Sequence, residues 1–357
     1  METNVKQFKR IGVLTSGGDS PGMNAAVRAV VRSAIARGVE VVGIKGGYQG
    51  LITNKLVKLD ARRVSNIINL GGSFLHSARC LKFKEEAGMQ KAVDTCMKNG
   101  IDGIVAIGGD GTFRGATDLT ARGIPCIGIP GTIDNDITST DASIGFDTAM
   151  NTVIQMVDRL RDTCETHARC NVVEVMGRDA GYLAIETGIA TGAVAVVLKE
   201  MPFDEAAAIK KINDLKKTGK RSFIVIVAEG VDKFAEDFAK RIEAQTKVET
   251  KFARLAHVVR GGSPTLRDRL LASRMADRAV DELLNGYSNL VICERKGEIV
   301  STDINYALIL DRMYKNTLKP GDLDKFNESQ LNEMKAVCAE RSAFFKDLYE
   351  IMEQISC

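Results

Sequence analysis

The apolar positions of this chain fall into two interleaved patterns. Short continuous apolar runs at Ile11–Leu14, Val39–Ile44, Ile104–Ile107 and Cys126–Ile129 read as strands buried on both faces. Between them lie stretches with helical spacing. Met23–Arg37 carries Ala26, Val27, Val30, Val31 and Ala34 on one stripe, with Gly38 as its stop, and Glu86–Lys98 and Thr112–Ala121 follow the same rule. The pattern restarts after Asp147, with a helix over 147–163 and strands over Val172–Val175, Val194–Leu198, Phe223–Val227 and Leu255–Val259. Helices are predicted near Gly181–Ile189, Asp204–Lys217 and Arg267–Asn285. Pro320-Gly321 marks a turn before a last amphipathic helix, about Asn327–Ile355. Buried strands alternating with helices predict an α/β fold with parallel sheets, here as two similar halves facing one cleft.

Three glycine-anchored segments each follow one of the predicted strands: Thr15-Ser-Gly-Gly-Asp-Ser-Pro-Gly22, Gly108-Gly-Asp-Gly-Thr112 and Pro130-Gly-Thr-Ile-Asp-Asn-Asp136. Ligands of parallel sheets bind at the carboxyl ends of the strands, where these loops sit. Glycine lets backbone N–H groups approach phosphate oxygens, and a helix N-terminus adds its dipole. The same glycines also serve an ordinary tight turn. Asp110 follows a buried strand, where a carboxylate needs a partner; it suits a Mg²⁺ ion bridging phosphates, or the N-cap of the next helix. Asp134 and Asp136, read as lying on one side of an extended loop, could divide the work of base and metal ligand, or form an Asx-turn cluster.

Composition narrows the class. The 357 residues, 45% of them hydrophobic, suffice for two α/β cores. A net charge of +3 from 49 basic and 46 acidic side chains gives no global reason to expect nucleic acid or a membrane surface as partner. The eight cysteines contain no CxxC pair and only three histidines accompany them, so a zinc framework is not expected. With no signal-like apolar core and no run of about 18 apolar residues, a reduced cytoplasmic enzyme is the expectation.

A basic set spreads along the second half: Arg161, Arg169, Arg178, Lys251 and Arg260, with His257 near the last. Each Arg alone reads first as a solvated surface residue. Arg178 and Arg260, however, stand at strand ends, where guanidinium groups suit a sugar phosphate, and Glu229 ends a strand in Ala-Glu-Gly, positioned to meet sugar hydroxyls.

The segments Gly12-Val-Leu-Thr-Ser-Gly-Gly-Asp-Ser-Pro-Gly-Met-Asn-Ala-Ala26, Ile-Gly-Gly-Asp-Gly-Thr112, Pro-Gly-Thr-Ile-Asp-Asn-Asp136, Val-Val-Glu-Val-Met-Gly-Arg178 and Arg-Gly-Gly-Ser-Pro264 together resemble the bacterial-type phosphofructokinase family. The resemblance runs from Ile11 to about Leu310. It implies two Rossmann-like α/β/α domains with mainly parallel sheets and an active site in the cleft between them. Residues 1–144 plus 258–308 would hold ATP and Mg²⁺, and residues 145–257 plus 309–357 the sugar phosphate. It implies phosphoryl transfer from ATP to the 1-hydroxyl of fructose 6-phosphate. Matched by motif, Asp134 is the general base, Asp110 and Asp136 are the magnesium-side carboxylates, and Thr132, Arg178 and Gly18 belong to the catalytic set. Gly18, Arg79, Cys80, Gly109, Asp110, Gly111, Thr112 and Gly115 line the nucleotide site. Thr132, Ile133, Asp134, Met176, Gly177, Arg178, Glu229, His257 and Arg260 face the sugar phosphate, with Arg169 and Lys251 supplied by a neighbouring subunit. The implied assembly is a homo-oligomer, in this family usually a tetramer with active sites shared across an interface.

The phosphoryl donor is a choice within the family: members that use pyrophosphate carry Asp at position 111 and Lys at 131, and glycine at both favours ATP. In three respects the chain departs from the family. Lys251 stands where Arg is usual, which keeps the charge but loses the bidentate fork, so a weaker grip on the substrate phosphate is expected. Cys80 replaces an aromatic residue near the nucleotide. Arg28, Arg32, Arg161, Lys220 and Arg221 match the basic positions of an effector pocket, but Ala61 and Val194 replace an expected Arg and acidic residue, so an altered effector response is expected.

Overall fold

The computed structural model describes residues 8–231 and 233–356. In chain order its first elements are β1 (Arg10–Thr15), α1 (Met23–Ala36), β2 (Glu40–Ile44), α2 (Gly47–Ile52), β3 (Leu56–Leu59), α3 (Glu86–Lys98), β4 (Gly103–Gly108), α4 (Asp110–Thr120) and β5 (Cys126–Pro130). Then come α5 (Phe146–His167), β6 (Cys170–Val175), α6 (Tyr182–Ala190), β7 (Ala195–Val197), α7 (Glu205–Lys217), β8 (Phe223–Ala228), α8 (Phe234–Thr246) and β9 (Thr250–Arg254). The last are α9 (Leu266–Leu284), β10 (Leu290–Arg295), β11 (Glu298–Asp303), α10 (Ile304–Tyr314) and α11 (Glu328–Ile355). Among the described residues no helix is long and apolar enough to cross a membrane.

Two compact units result. The first takes the chain up to Thr132, Ile137–Asp147 and Arg260–Cys338; the second takes Ile133–Asp136, Thr148–Val259 and the chain from Ala339. Residues 309–338, which the resemblance assigns to the sugar-phosphate body, group with the first unit, where α10 packs on α4, β10 and β11.

The first unit is built on a seven-stranded sheet of order β11-β10-β5-β4-β1-β2-β3. Its centre is parallel; only the β10–β11 and β2–β3 pairs at the two edges are antiparallel. Successive residues of a strand point to opposite faces, and the core divides accordingly. Ile11, Val13, Val105 and Ile107 pack with α1 and α9 on one face. Leu14, Ile104 and Ala106 pack with α3, α4 and α10 on the other. Each such side chain fully removed from water contributes about 1.5–3 kcal/mol. Gly38 ends α1 at φ +77° in open space, as its position predicts.

The second unit has four strands, order β7-β8-β6-β9, all parallel. One face packs Val172, Val225 and Val227 against Ile209 and Ile212 of α7 and Phe238 and Ile242 of α8. Asp204 caps α7 by accepting from the Ala207 amide at 2.9 Å. One predicted strand is displaced: Leu255–Val259 is not extended. The strand is β9, and it gives way to a 3₁₀ turn over Ala256–Arg260, with Ala256 at φ +45°. The apolar Leu-Ala-His-Val-Val run mimics a strand, while the actual strand, Thr-Lys-Phe-Ala-Arg, is mostly polar and only partly buried.

Phe238 tests this core. It is fully buried, with the rings of Phe234 and Phe203 centred 5.0 and 5.4 Å away. Phe238→Ala should destabilise the second unit by about 3–5 kcal/mol, read as a fall in the urea midpoint followed by far-UV circular dichroism. A loss under about 1 kcal/mol would contradict this packing.

Candidate functional site

In the first unit, three parallel strands end in the three glycine loops. After β1 the chain turns through Gly17 (φ +85°) and Gly22 (φ +106°) into α1. A Cβ at Gly18 would overlap the guanidinium of Arg260, whose Nη1 lies 3.9 Å from the Asp19 carboxylate. Glycine at 18 is therefore what admits Arg260. After β4, the N-cap of α4 is Gly109 and no side chain caps the helix. Asp110 is thus not the N-cap but the first helical residue, where its charge complements the helix dipole. Thr112 is buried, and its hydroxyl donates to the Ser16 carbonyl at 3.1 Å, tying the second loop to the first.

The glycines of this region divide by what surrounds them. A Cβ at Gly109 or Gly111 would meet nothing within 4 Å. At Gly115 it would lie 2.6 Å from the Tyr48 ring, and the Tyr48 hydroxyl donates to the Thr112 carbonyl at 2.5 Å. Gly115 therefore seats α4 on a buried tyrosine, whose phenol is pushed well up by burial. Arg79 is exposed; Cys80 is half-buried and its thiol donates to Gln49 Oε1 at 3.2 Å. Beside them Ser77 donates to the Gly17 carbonyl at 2.8 Å.

After β5, Gly131 forms a bridge with Ile144, and a Cβ there would press on Ile107 and Met23 at 3.3 Å. The Thr132 carbonyl accepts from Ser143 Oγ at 2.7 Å. Ile133 is buried, Asp134 is only 4% exposed and Asp136 is half-buried. Between the two carboxylates Asn135 has φ +49°. The loop is therefore not extended there, contrary to the sequence expectation; a left-handed turn separates Asp134 from Asp136.

In the second unit, β6 turns through Gly177 (φ +143°) and Arg178 (φ +57°). Glu229, at the end of neighbouring β8, accepts from both of their amides, at 3.2 and 2.7 Å. A Cβ at Gly230 would lie 2.6 Å from the Arg178 carbonyl, so this close approach requires glycine. The turn carries the exposed Arg178 guanidinium to 3.7 Å from the buried Asp134 carboxylate. Glu229, expected to meet sugar hydroxyls, first of all fixes this turn. Met176, Glu229 and His257 line a cavity of about 250 Å³ with Glu174, Arg254 and Ala256. Sequence reasoning missed Arg254. Its guanidinium pairs with Glu174 at 2.7 Å and lies 5.5 Å from the centre of the Phe252 ring. Its place three residues before His257 was the available signal.

Arg169 and Lys251 are not brought to that end. Arg169 precedes β6, six residues before Val175, and Lys251 lies near the start of β9 level with Asn171, four residues before Val175, or roughly 13–20 Å of strand away. Both pair there with Glu249, at 2.7 and 2.9 Å, and these two cations hold its carboxyl down at about 2, Arg169 contributing most. Three other matched basic residues reach main-chain carbonyls: Arg161 that of Thr191, Arg221 those of Glu165 and Thr166 at 3.1 Å, and Arg32 that of Ala61 at 3.4 Å.

Among the described residues no three His, Cys, Asp or Glu side chains gather as a metal-binding group. Carboxylates in ones and twos are the donor set of an ion such as Mg²⁺ that takes its remaining ligands from phosphates and water. Asp110 and Asp136 fit that chemistry by type.

The profile of the Phosphofructokinase family matches residues 10–283. An ATP-dependent 6-phosphofructokinase 1 of Clostridium perfringens is 50% identical over 311 residues, covering 87% of this chain and 97% of that protein. Phosphofructokinase from Saccharomyces cerevisiae superposes with a TM-score of 0.82 at 31% identity, covering 89% of this chain and 48% of that one. A pyrophosphate-dependent phosphofructokinase from Nitrosospira multiformis has a TM-score of 0.75 at 21% identity, a likeness of fold.

The Glu249 cluster makes a pH prediction. Its carboxyl lies below the ordinary 4.5, so the ionised form is the one folding favours. The contribution of these pairs is complete above pH 4.5 and is lost as pH falls through about 2. In Arg169→Ala the carboxyl should titrate measurably closer to 4.5 by ¹³C NMR. A resonance that still titrates at about 2 without Arg169 would contradict the assignment.

Proposed function

The chain belongs to the phosphofructokinase family, and on that premise we propose that it transfers the terminal phosphoryl of ATP to the 1-hydroxyl of fructose 6-phosphate. The observation that carries the reading is the buried Asp134 carboxylate facing the Arg178 guanidinium at the end of a parallel strand. A carboxylate 4% exposed is costly to ionise unless a cation is near, and Arg178 supplies one.

In this reading Asp134 accepts the proton of the sugar 1-hydroxyl. The freed oxygen attacks the terminal phosphorus, the bond to the bridging oxygen breaks, and ADP leaves with that electron pair. Arg178 then turns from its ground-state partner to the charge developing on the phosphoryl oxygens, with Thr132 and the Gly18 amide as further donors. Asp110 and Asp136 would hold Mg²⁺, which when bound neutralises phosphate charge. Gly109 and Gly111 leave the amino end of α4 open to the nucleotide beside Arg79 and Cys80, while Thr112 and Gly115 support it from beneath. Ile133, Met176, Gly177, His257, Arg260 and Glu229 shape the sugar-phosphate side. Arg169 and Lys251 sit at the opposite end of the β6 and β9 strands, so they serve a sugar phosphate held by another copy. A homo-oligomer, a tetramer by family resemblance, follows.

The open space at Gly111 supports ATP as donor. An Asp there would stand unobstructed with its negative charge where a nucleotide phosphate is read to bind. The wild-type chain should turn over with ATP and not with pyrophosphate in a coupled aldolase assay, and Gly111→Asp should raise KM for ATP by about tenfold or more. Equal rates with both donors would overturn the donor reading. Asp134→Ser should cut kcat by about 10²–10⁴-fold with KM for fructose 6-phosphate little changed. A change confined to KM would remove Asp134 from the role of base.

A further inference from the structure

The last helix, α11, lies beyond the 10–283 span of the family match, yet one of its side chains reaches the Asp134–Asp136 loop. Arg341 Nη2 donates to the carbonyl of Asn135, the residue between the two carboxylates, and both residues lie in the second unit. Its Nε donates to the Tyr182 hydroxyl at 2.7 Å. The guanidinium carbon stands 4.7 Å from the centre of the Tyr182 ring, and that ring meets Phe345 of the same helix edge-on at 5.2 Å. Tyr182 and Phe345 are both buried. The guanidinium is thus fixed in plane and position by an aromatic face, a hydroxyl and a peptide carbonyl.

What it holds is a left-handed turn. Asn135 is buried at φ +49°, a region that asparagine enters more readily than other non-glycine residues. A charge-assisted hydrogen bond to the Asn135 carbonyl orients the peptide that joins Asn135 to Asp136, and with it the turn out of Asp134.

We infer that Arg341 is a positioning residue: through the Asn135 carbonyl it sets the direction in which Asp134 and Asp136 are presented. The inference rests on the proposed role of Asp134. It also gives the carboxy-terminal helix a part in turnover that sequence alone left unassigned.

Full-length Arg341→Met, Arg341→Lys, Asp134→Ser and the Arg341→Met/Asp134→Ser double variant test it through kcat, KM for both substrates, and Tm. Arg341→Met should lower kcat by about 10- to 100-fold, since a displacement of about 1 Å at the reacting groups costs that much. Both KM values should stay within about threefold, the signature of an interaction made in the transition state. Arg341→Lys, which keeps a cationic donor for the carbonyl, should recover part of the loss. On the Asp134→Ser background Arg341→Met should cost less than it does in the wild type, because part of its effect passes through the Asp134 carboxylate. A kcat for Arg341→Met within about twofold of wild type, or a loss that repeats in full on the Asp134→Ser background, would overturn the inference. Should Asp134→Ser keep wild-type kcat, the base assignment fails by itself and the double variant ceases to discriminate; Arg341→Met losing activity beside unaltered Tm would then support positioning of the loop through Asp136. If Arg341→Met does not fold, Tyr182→Phe carries the test, removing only the hydroxyl to which Nε donates. A kcat lowered by about threefold or more with unaltered Tm supports the inference, and an unchanged kcat overturns it.

Discussion

Parallel strand pairing is the constraint on which the rest of this molecule depends. A parallel sheet sends every strand out at the same end, so the loops after β1, β4 and β5 are forced into company whatever their sequence. The same holds for the turns after β6 and β8, where Glu229 on one strand can accept from the amides of Gly177 and Arg178 on the next. The antiparallel pairs are confined to the edges of the larger sheet, where they do not reverse a site-bearing strand. The same directionality separates Arg169 and Lys251 from Arg178 by the length of a strand.

Within that frame, buried charge sets the local rules. Asp134 has an arginine near its carboxylate, and the following residue has another at its carbonyl. One cation is exposed and comes from a turn in the strained left-handed region; the other is sandwiched against tyrosine.

Much of this was legible in the chain. The central strands are continuous apolar runs because both of their faces are covered, and β1, β4, β5, β6 and β8 fall within a residue or two of the runs that predicted them. The edges were not legible. β3 and β11 are half-exposed, and the turn of the β10–β11 hairpin is Arg-Lys-Gly-Glu, which has no hydrophobic period to read. β9 was misplaced for the same reason. Among the site residues, the motifs marked positions but not surroundings. Gly111 and Gly115 are the same letter four residues apart, yet one borders open space and the other a tyrosine ring. Arg341 looked like any solvated charge on an amphipathic helix, because its partners stand 159 and 206 residues away in the chain.

That contrast extends to Gly131. At position 111 a Cβ enters open space. At 131 it meets the side-chain ends of Ile107 and Met23 at 3.3 Å, so a side chain there requires those ends to give by a few tenths of an ångström. A change at 111 is thus independent of its neighbours, whereas a change at 131 is coupled to the packing of β4 and α1.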